Sequence, residues 1–142
     1  MKYYVDTCIW LNLFKREQGC INGVPCWKIA KDFVDQATSL HRQLLISPVV
    51  LKELAFKLNA EFDEKHEILK QQPCVSFVPT VAEDYTVARD IETKHNYRIS
   101  FGDCLHIAIT RRLNVVLVTR DAQLILVGKE YVEVLKPEML LY

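Results

Sequence analysis

The chain of 142 residues reads as an α/β protein built on a parallel sheet covered by helices on both faces. Three observations predict this. Short apolar runs alternate with longer stretches of helical period, and the runs are rich in β-branched residues. Three aspartates, Asp6, Asp103 and Asp121, each fall where an apolar run gives way to a helix start. A glutamate, Glu53, lies between them inside an otherwise apolar helical stretch. Acids so far apart along a chain can meet only if the fold gathers several strand ends, and a parallel sheet finishes all its strands on one edge.

Element by element, Lys2–Val5 opens as a strand and Thr7 to about Phe14 follows as a helix. Trp27 to about His41 has helical period, and Leu44–Ile46 is the next strand. Pro48 to about Leu58 is helical, as is the charged stretch running through Lys70. Val75–Val78 supplies a third strand. Val81 to about His95 is read as an amphipathic helix with Val81, Tyr85, Ala88 and His95 as its buried stripe. Glu83, Asp84, Asp90 and Glu92 then face water. Phe101 to about Leu113 is the next helix, Val115–Val118 a fourth strand, Ala122–Val127 a short helix and Tyr131–Leu135 a fifth strand. No repeat, low-complexity tract or linker interrupts the pattern, so residues 1–142 are expected to form one domain.

Composition narrows the function. Half the residues are hydrophobic and a quarter charged, as in ordinary globular domains. No apolar stretch approaches the roughly 20 residues that span a bilayer. The N-terminus reads as a first strand rather than a signal peptide, so a cytoplasmic protein with no membrane partner is expected. Zero formal net charge argues against a protein that coats nucleic acid through bulk basicity. It leaves room for an enzyme that acts on nucleic acid through bound metal and a few local cations. Cys8, Cys20, Cys26, Cys74 and Cys104 show no C-x-x-C spacing and are read as small reduced core residues. With only four glycines and neither phosphate-cradling signature, a nucleotide-binding loop is not expected.

Each acid taken alone has a structural reading. Asp6 can cap the first helix, and Glu53 can pair with Lys57 one turn on. Ser100 and Asp103 have capping-box spacing, while Asp121 suits the positive end of the helix that follows it. Taken together, the balance changes. Glu53 is flanked by Val49, Val50, Leu54 and Phe56, and a carboxylate in partly apolar surroundings wants a partner. Asp6 and Asp121 map to the carboxyl edge of the sheet, where open α/β sheets bind ligands. Like charges gathered there, with no histidine–cysteine set beside them, suit a hard divalent cation such as Mg²⁺.

Four segments carry a resemblance: VDTCIW (Val5–Trp10), SPVVLKEL (Ser47–Leu54), ISFGDCLHIAIT (Ile99–Thr110) and VLVTRDAQL (Val116–Leu124). In order and spacing they resemble the PIN-domain nucleases, and within them the VapC-like toxins of toxin–antitoxin pairs. The resemblance covers essentially the whole length. It implies a three-layer α/β/α fold whose five strands run in the order 3-2-1-4-5. It also implies a metal-dependent endoribonuclease using one or two Mg²⁺ or Mn²⁺ ions. Asp6, Glu53, Asp103 and Asp121 match the family's acids, and Thr119 matches a hydroxyl often found beside the metals. Cys8 stands where relatives often carry Ser or Asn, so a hydrogen bond to Asp6 is expected to be weak or missing. The implied partners are RNA, a cognate antitoxin that covers the acidic groove, and a second copy of the chain.

Several residues stay open at this level. His106, one turn after Asp103, could be a base or ligand, but a histidine on an apolar face is more often packed, and packing is the expectation. Lys94, Arg98, Arg111, Arg112 and Arg120 are candidate phosphate contacts with a solvated role favoured for each. Trp10, Leu11, Phe14 and Trp27 could serve dimer or antitoxin contacts, though core positions are favoured. A PIN-domain nuclease in RNA processing or acting on DNA remains an alternative. A phospho-receiver domain shares the doubly wound sheet and a Lys136-Pro137 pair, but its third strand should end on an aspartate, and here Ser76–Thr80 carries no acid.

Overall fold

The computed structural model describes all 142 residues, except for the side chain of Cys20. In chain order the elements are β1 (Lys2–Val5), α1 (Thr7–Phe14), β2 (Cys20–Ile21), β3 (Val24–Pro25), α2 (Cys26–Ser39), β4 (Gln43–Ile46) and α3 (Pro48–Leu58). After a single 3₁₀ turn come α4 (Phe62–Gln71), β5 (Val75–Phe77), α5 (Ala82–Lys94), α6 (Phe101–Leu113), β6 (Val116–Val118), α7 (Ala122–Gly128) and β7 (Val134–Leu135). Five strands form one parallel sheet in the order β5-β4-β1-β6-β7, the 3-2-1-4-5 order that the resemblance implies. Helices cover both faces, giving three layers, and no helix is long and apolar enough to cross a membrane.

The central strand explains the architecture. Tyr3, Tyr4 and Val5 of β1 are at most 1% exposed, because β4 flanks them on one side and β6 on the other. Strand β1 sends its chain to β4 on one side, while β6 arrives on the other, so the strand order reverses between β1 and β6. That point is where an open α/β sheet leaves a crevice beyond its strand ends. The register sets Val5 opposite Val118, and the Asp6 amide donates to the Val118 carbonyl at 2.9 Å. Asp6 and Thr119 thus leave the sheet side by side.

Local chemistry sets the helix starts. Ser47 caps α3 and is followed by Pro48, whose missing N–H costs nothing in the first turn. Ser100 caps α6 by accepting from the Asp103 amide at 3.1 Å. Asn114 closes α6 in the left-handed conformation, φ 54°.

Two expectations need correction. The hairpin β2–β3 was not anticipated; its turn is Asn22–Gly23, both at positive φ, the pairing that suits a two-residue hairpin loop. In α5 the buried positions are Asp84, Ala88 and Ile91, whereas Val81 and Tyr85 are exposed and His95 is half-buried. Asp84 is 1% exposed rather than solvated. It accepts from Arg112 Nε at 2.9 Å and from the Val81 amide at 2.9 Å, so a distant arginine and a helix start together compensate its burial. Of the four free cysteines described, Cys26, Cys74 and Cys104 are buried and Cys8 is half-buried. Trp10 is core, while Leu11, Phe14 and Trp27 are half-buried.

Candidate functional site

A cleft of about 680 Å³ opens at the carboxyl edge of the sheet. Asp6, Glu53, Asp103 and Asp121 all line it, each delivered by a different segment. Asp6 follows β1, Glu53 projects from α3, Asp103 lies in the first turn of α6 and Asp121 caps α7 after β6. The four sequence-predicted acids therefore share one cavity.

Their environments differ. Asp6 is 5% exposed, and both its oxygens are engaged. Oδ1 accepts from the Thr7 amide at 2.8 Å, and Oδ2 accepts from Thr119 Oγ1 at 2.7 Å. The Cys8 thiol also donates to Oδ2, at 3.2 Å, so the bond that the sequence put in doubt is present. Burial, with the Asp6 charge, pushes the Cys8 thiol well up, so it stays a protonated donor. Thr119 is fully buried and also accepts from the Asp121 amide at 3.1 Å, which links the two aspartates. Asp121 Oδ1 accepts from the Leu124 amide at 3.0 Å.

Asp103 is half-buried, and of the two bonds that make a capping box it shows one, from its own amide to Ser100. Burial pushes its carboxyl up to about 6; the neighbouring charges of Asp6, Asp121 and Glu53 push the same way, while His106 opposes them. A carboxylate raised by like charges is what a cation would relieve.

Glu53 does not pair with Lys57. Its Oε1 accepts from Thr7 Oγ1 at 2.6 Å and from His106 Nε2 at 2.7 Å. Burial works to raise its pKa, but the His106 bond and charge, helped by Thr7 and Lys57, outweigh that and leave it below the ordinary value. Gly102 matters here: a Cβ at that position would stand 3.0 Å from Glu53 Oε2. Any larger residue there would make the Glu53 carboxyl end give by a few tenths of an ångström.

His106 is the residue whose place the sequence did not reveal. It is fully buried, as expected, yet not merely packed. Nδ1 lies 2.6 Å from Tyr4 Oη, and Nε2 lies 3.5 Å from Asp6 Oδ1 in addition to its Glu53 contact. Burial disfavours its charged form, but the Tyr4 oxygen and the Glu53 and Asp6 carboxylates more than offset this and hold it well above the usual histidine value. One potential ligand atom each from Asp6, Glu53 and His106 lies within 4.8 Å of the others. Among the described residues no histidine–cysteine set stands beside the acids in this group, but a single histidine, left open in the sequence as base, ligand or packed residue, does. The tightest triplet is Asp6–Glu53–His106, with Asp103 and Asp121 farther round the cleft.

The candidate phosphate contacts also shift. Arg112 is committed to Asp84, and Arg120 to Glu138 at 2.9 Å. Lys94, Arg98 and Arg111 are exposed away from the cleft lining, where the cations are Lys52 and Lys57. Phe56, Tyr85 and Phe101 add aromatic surface to the cleft lining. Carboxylate oxygens of Asp6 and Glu53, held partly by short bonds from Thr119 and Thr7, lie close enough together to offer a hard divalent cation oxygen donors.

A model of the PIN domain family matches residues 3–130. Among solved structures, the fold is similar to that of VapBC2 from Rickettsia felis bound to a DNA fragment from their promoter, at TM-score 0.69 and 16% identity. That match covers 96% of this chain and 98% of the other. It is also similar to FitAcB from Neisseria gonorrhoeae, at TM-score 0.64 and 19% identity over 97% of this chain and 99% of the other. At such identities the similarity bears on the fold alone. No curated protein matches the chain in sequence. With five parallel strands in the 3-2-1-4-5 order and a family match reaching from β1 past α7, the chain belongs to the PIN domain family, and that membership implies a nuclease.

Proposed function

We propose that the protein is an Mg²⁺- or Mn²⁺-dependent endoribonuclease and the toxin of a toxin–antitoxin pair. One observation carries this reading: four carboxylates from four segments meet in one cleft with too few cations to balance them. Asp6, Asp103 and Asp121 would hold one or two ions, with Glu53 as a further ligand or an acceptor beside them. A hard divalent ion bound there supplies Lewis acidity towards water and the scissile phosphate, and positive charge where the chain has excess negative charge.

The chain's own residues do the rest. Thr119 and the Thr7 amide fix both oxygens of Asp6, so that carboxylate is oriented before any ligand arrives. Lys52 and Lys57 sit on the rim, where they can meet phosphates flanking the cleaved bond. Tyr85, exposed beside Phe101 with ring centroids 6.2 Å apart, offers an aromatic surface on which an unpaired base can stack, while Arg89 lies over the Phe101 ring. That surface favours single-stranded RNA over a duplex, whose bases are already stacked. The resemblance to VapC-like toxins supports an antitoxin that covers the cleft, a homodimer, and action in the cytoplasm.

The direct test is cleavage of a fluorogenic RNA by the purified chain with Mn²⁺ or Mg²⁺, with EDTA, and with Asp6→Asn. Cleavage should require the metal and disappear in Asp6→Asn while circular dichroism is unchanged. Undiminished cleavage by folded Asp6→Asn would overturn the assignment. A fluorogenic DNA run in parallel distinguishes the DNA-directed alternative.

A further inference from the structure

We propose that His106 is a positioning residue for Glu53, fixing one carboxylate oxygen so that the other faces the metal cleft. This rests on the metal-dependent nuclease reading above and concerns how that site is held together.

The argument begins with hydrogen-bond direction. An ionised carboxylate can only accept, so at 2.7 Å from Glu53 Oε1 the Nε2 atom of His106 must carry the hydrogen. Its lone pair is then not available to a cation. The other ring nitrogen is taken up by Tyr4 Oη at 2.6 Å. With both nitrogens engaged and no surface exposed, His106 can neither ligate an ion directly nor reach a substrate. Among the acids it hydrogen-bonds only Glu53, with Asp6 Oδ1 farther off at 3.5 Å, so its orienting effect passes through Glu53.

That effect is orientation. Glu53 has three rotatable bonds and a side chain 34% exposed, so nothing in simple packing would select one rotamer. The two bonds to Oε1, from His106 and Thr7, make that selection. Oε2 is left over Gly102, on the side where α6 brings Asp103 into the cleft.

The ring itself is anchored from two further elements. Tyr4 Oη lies 2.6 Å from Ser47 Oγ, and Ser47 is the residue that caps α3. The sequence of contacts Ser47–Tyr4–His106–Glu53 therefore leaves α3 at its cap and returns to it at Glu53, passing through β1 and α6. Tyr4 also directly precedes the Val5–Asp6 step at the end of β1. The same closed circuit thus sets Glu53 relative to Asp6. A buried network with every member bonded is rigid, which is what an ion site with defined geometry needs.

Mn²⁺ affinity, measured by isothermal titration on the full chain, tests this independently of cleavage. Removing a group that orients a metal ligand should weaken Mn²⁺ binding by roughly 10- to 100-fold in His106→Leu. His106→Gln, whose side-chain amide can donate to the same oxygen, should recover most of that loss. Tyr4→Phe keeps the ring and removes its anchor, so it should give a smaller loss of about several-fold and serves if His106→Leu does not fold. In a Glu53→Gln background, His106→Gln or His106→Leu should cost little more, because the effect passes through Glu53. Wild-type affinity in folded His106→Leu, or in Tyr4→Phe where His106→Leu does not fold, overturns the proposal. So does a loss in His106→Leu that His106→Gln does not repair, or additive losses with Glu53→Gln. If the wild-type chain itself binds no Mn²⁺, the metal-dependent reading fails first and takes this one with it.

Discussion

Two places in this molecule bury carboxylates, and they are built on opposite principles. On α5, Asp84 is 1% exposed and meets one arginine, Arg112, in a two-point contact at 2.9 and 3.1 Å, with a helix-start amide as its third donor. Charge there is balanced one to one. At the carboxyl edge of the sheet, four acids share a cleft with two lysines, Lys52 and Lys57, with His106 buried behind Glu53, and a carboxyl is driven up to about 6 by burial and its neighbours. Charge there is left over. A balanced buried pair serves the fold, whereas an unbalanced group is stable only with something added, and that surplus marks the site.

The contrast can be broken by exchanging the injuries. Asp6→Asn should lower metal-dependent RNA cleavage on the order of 10³-fold, the loss typical when a group serving transition-state charge is removed. The folded baseline in a thermal melt should not fall. Asp84→Ala should do the reverse, costing about 3 kcal/mol of unfolding free energy in urea by stranding Arg112, with kcat unchanged in the surviving folded fraction. If Asp84→Ala abolished cleavage in fully folded protein, or Asp6→Asn unfolded the chain, the division between the two regions would not stand.

Metal sharpens the same point. Mn²⁺ at about 100 times its dissociation constant should raise stability by about 2.7 kcal/mol, read as a concentration-dependent melting temperature. Asp6→Asn should lose most of that rise, and Asp84→Ala should keep it.

A smaller effect follows from Asp103. Its carboxyl moves from an ordinary 3.8 to about 6 in the folded chain. Between those values the folded state holds a proton that the unfolded state has released. Stability of the metal-free protein should therefore fall as pH rises from about 4 to about 6, by about 2 kcal/mol. Asp103→Asn should flatten that step in urea titrations and make the metal-free chain more stable at pH 7. An unchanged pH profile in Asp103→Asn would show that the acids do not strain one another. Smallest of all, Lys28→Ala breaks an exposed ion pair with Asp32 on α2 and should change stability by no more than about 0.5 kcal/mol.

What could be read from the sequence was whatever is encoded locally. Helices α1, α3 and α6 begin and end where the apolar period and their caps, Asp6, Ser47 and Ser100, place them. Asp6, Asp103 and Asp121 were visible because each stands at a junction between elements, and Glu53 because it interrupts an apolar helical stretch. The hairpin β2–β3 had its signal in Asn22–Gly23, but two strands of two residues carry too little periodicity to stand out. Asp84 and His106 were misjudged for another reason. Their partners lie 28 residues away on α6 and 102 residues away on β1. A polar residue on an apolar face looks the same in sequence whether it is orphaned, packed or bonded. Only the tertiary pairing tells which, and the displacement of the cleft's cations from the arginines to Lys52 and Lys57 has the same origin.

The parallel pairing of β1 with β6 has a consequence during synthesis. Thr119, which grips Asp6, and Asp121, which shares its cleft, are made more than a hundred residues after it. No hairpin or local helix pair can bring them together earlier, because parallel neighbours need the whole intervening crossover. A growing chain thus carries Asp6 without its Thr119 partner until β6 has emerged. The cleft therefore cannot exist on any stretch of chain that lacks either β1 or β6, however well the rest of it is folded.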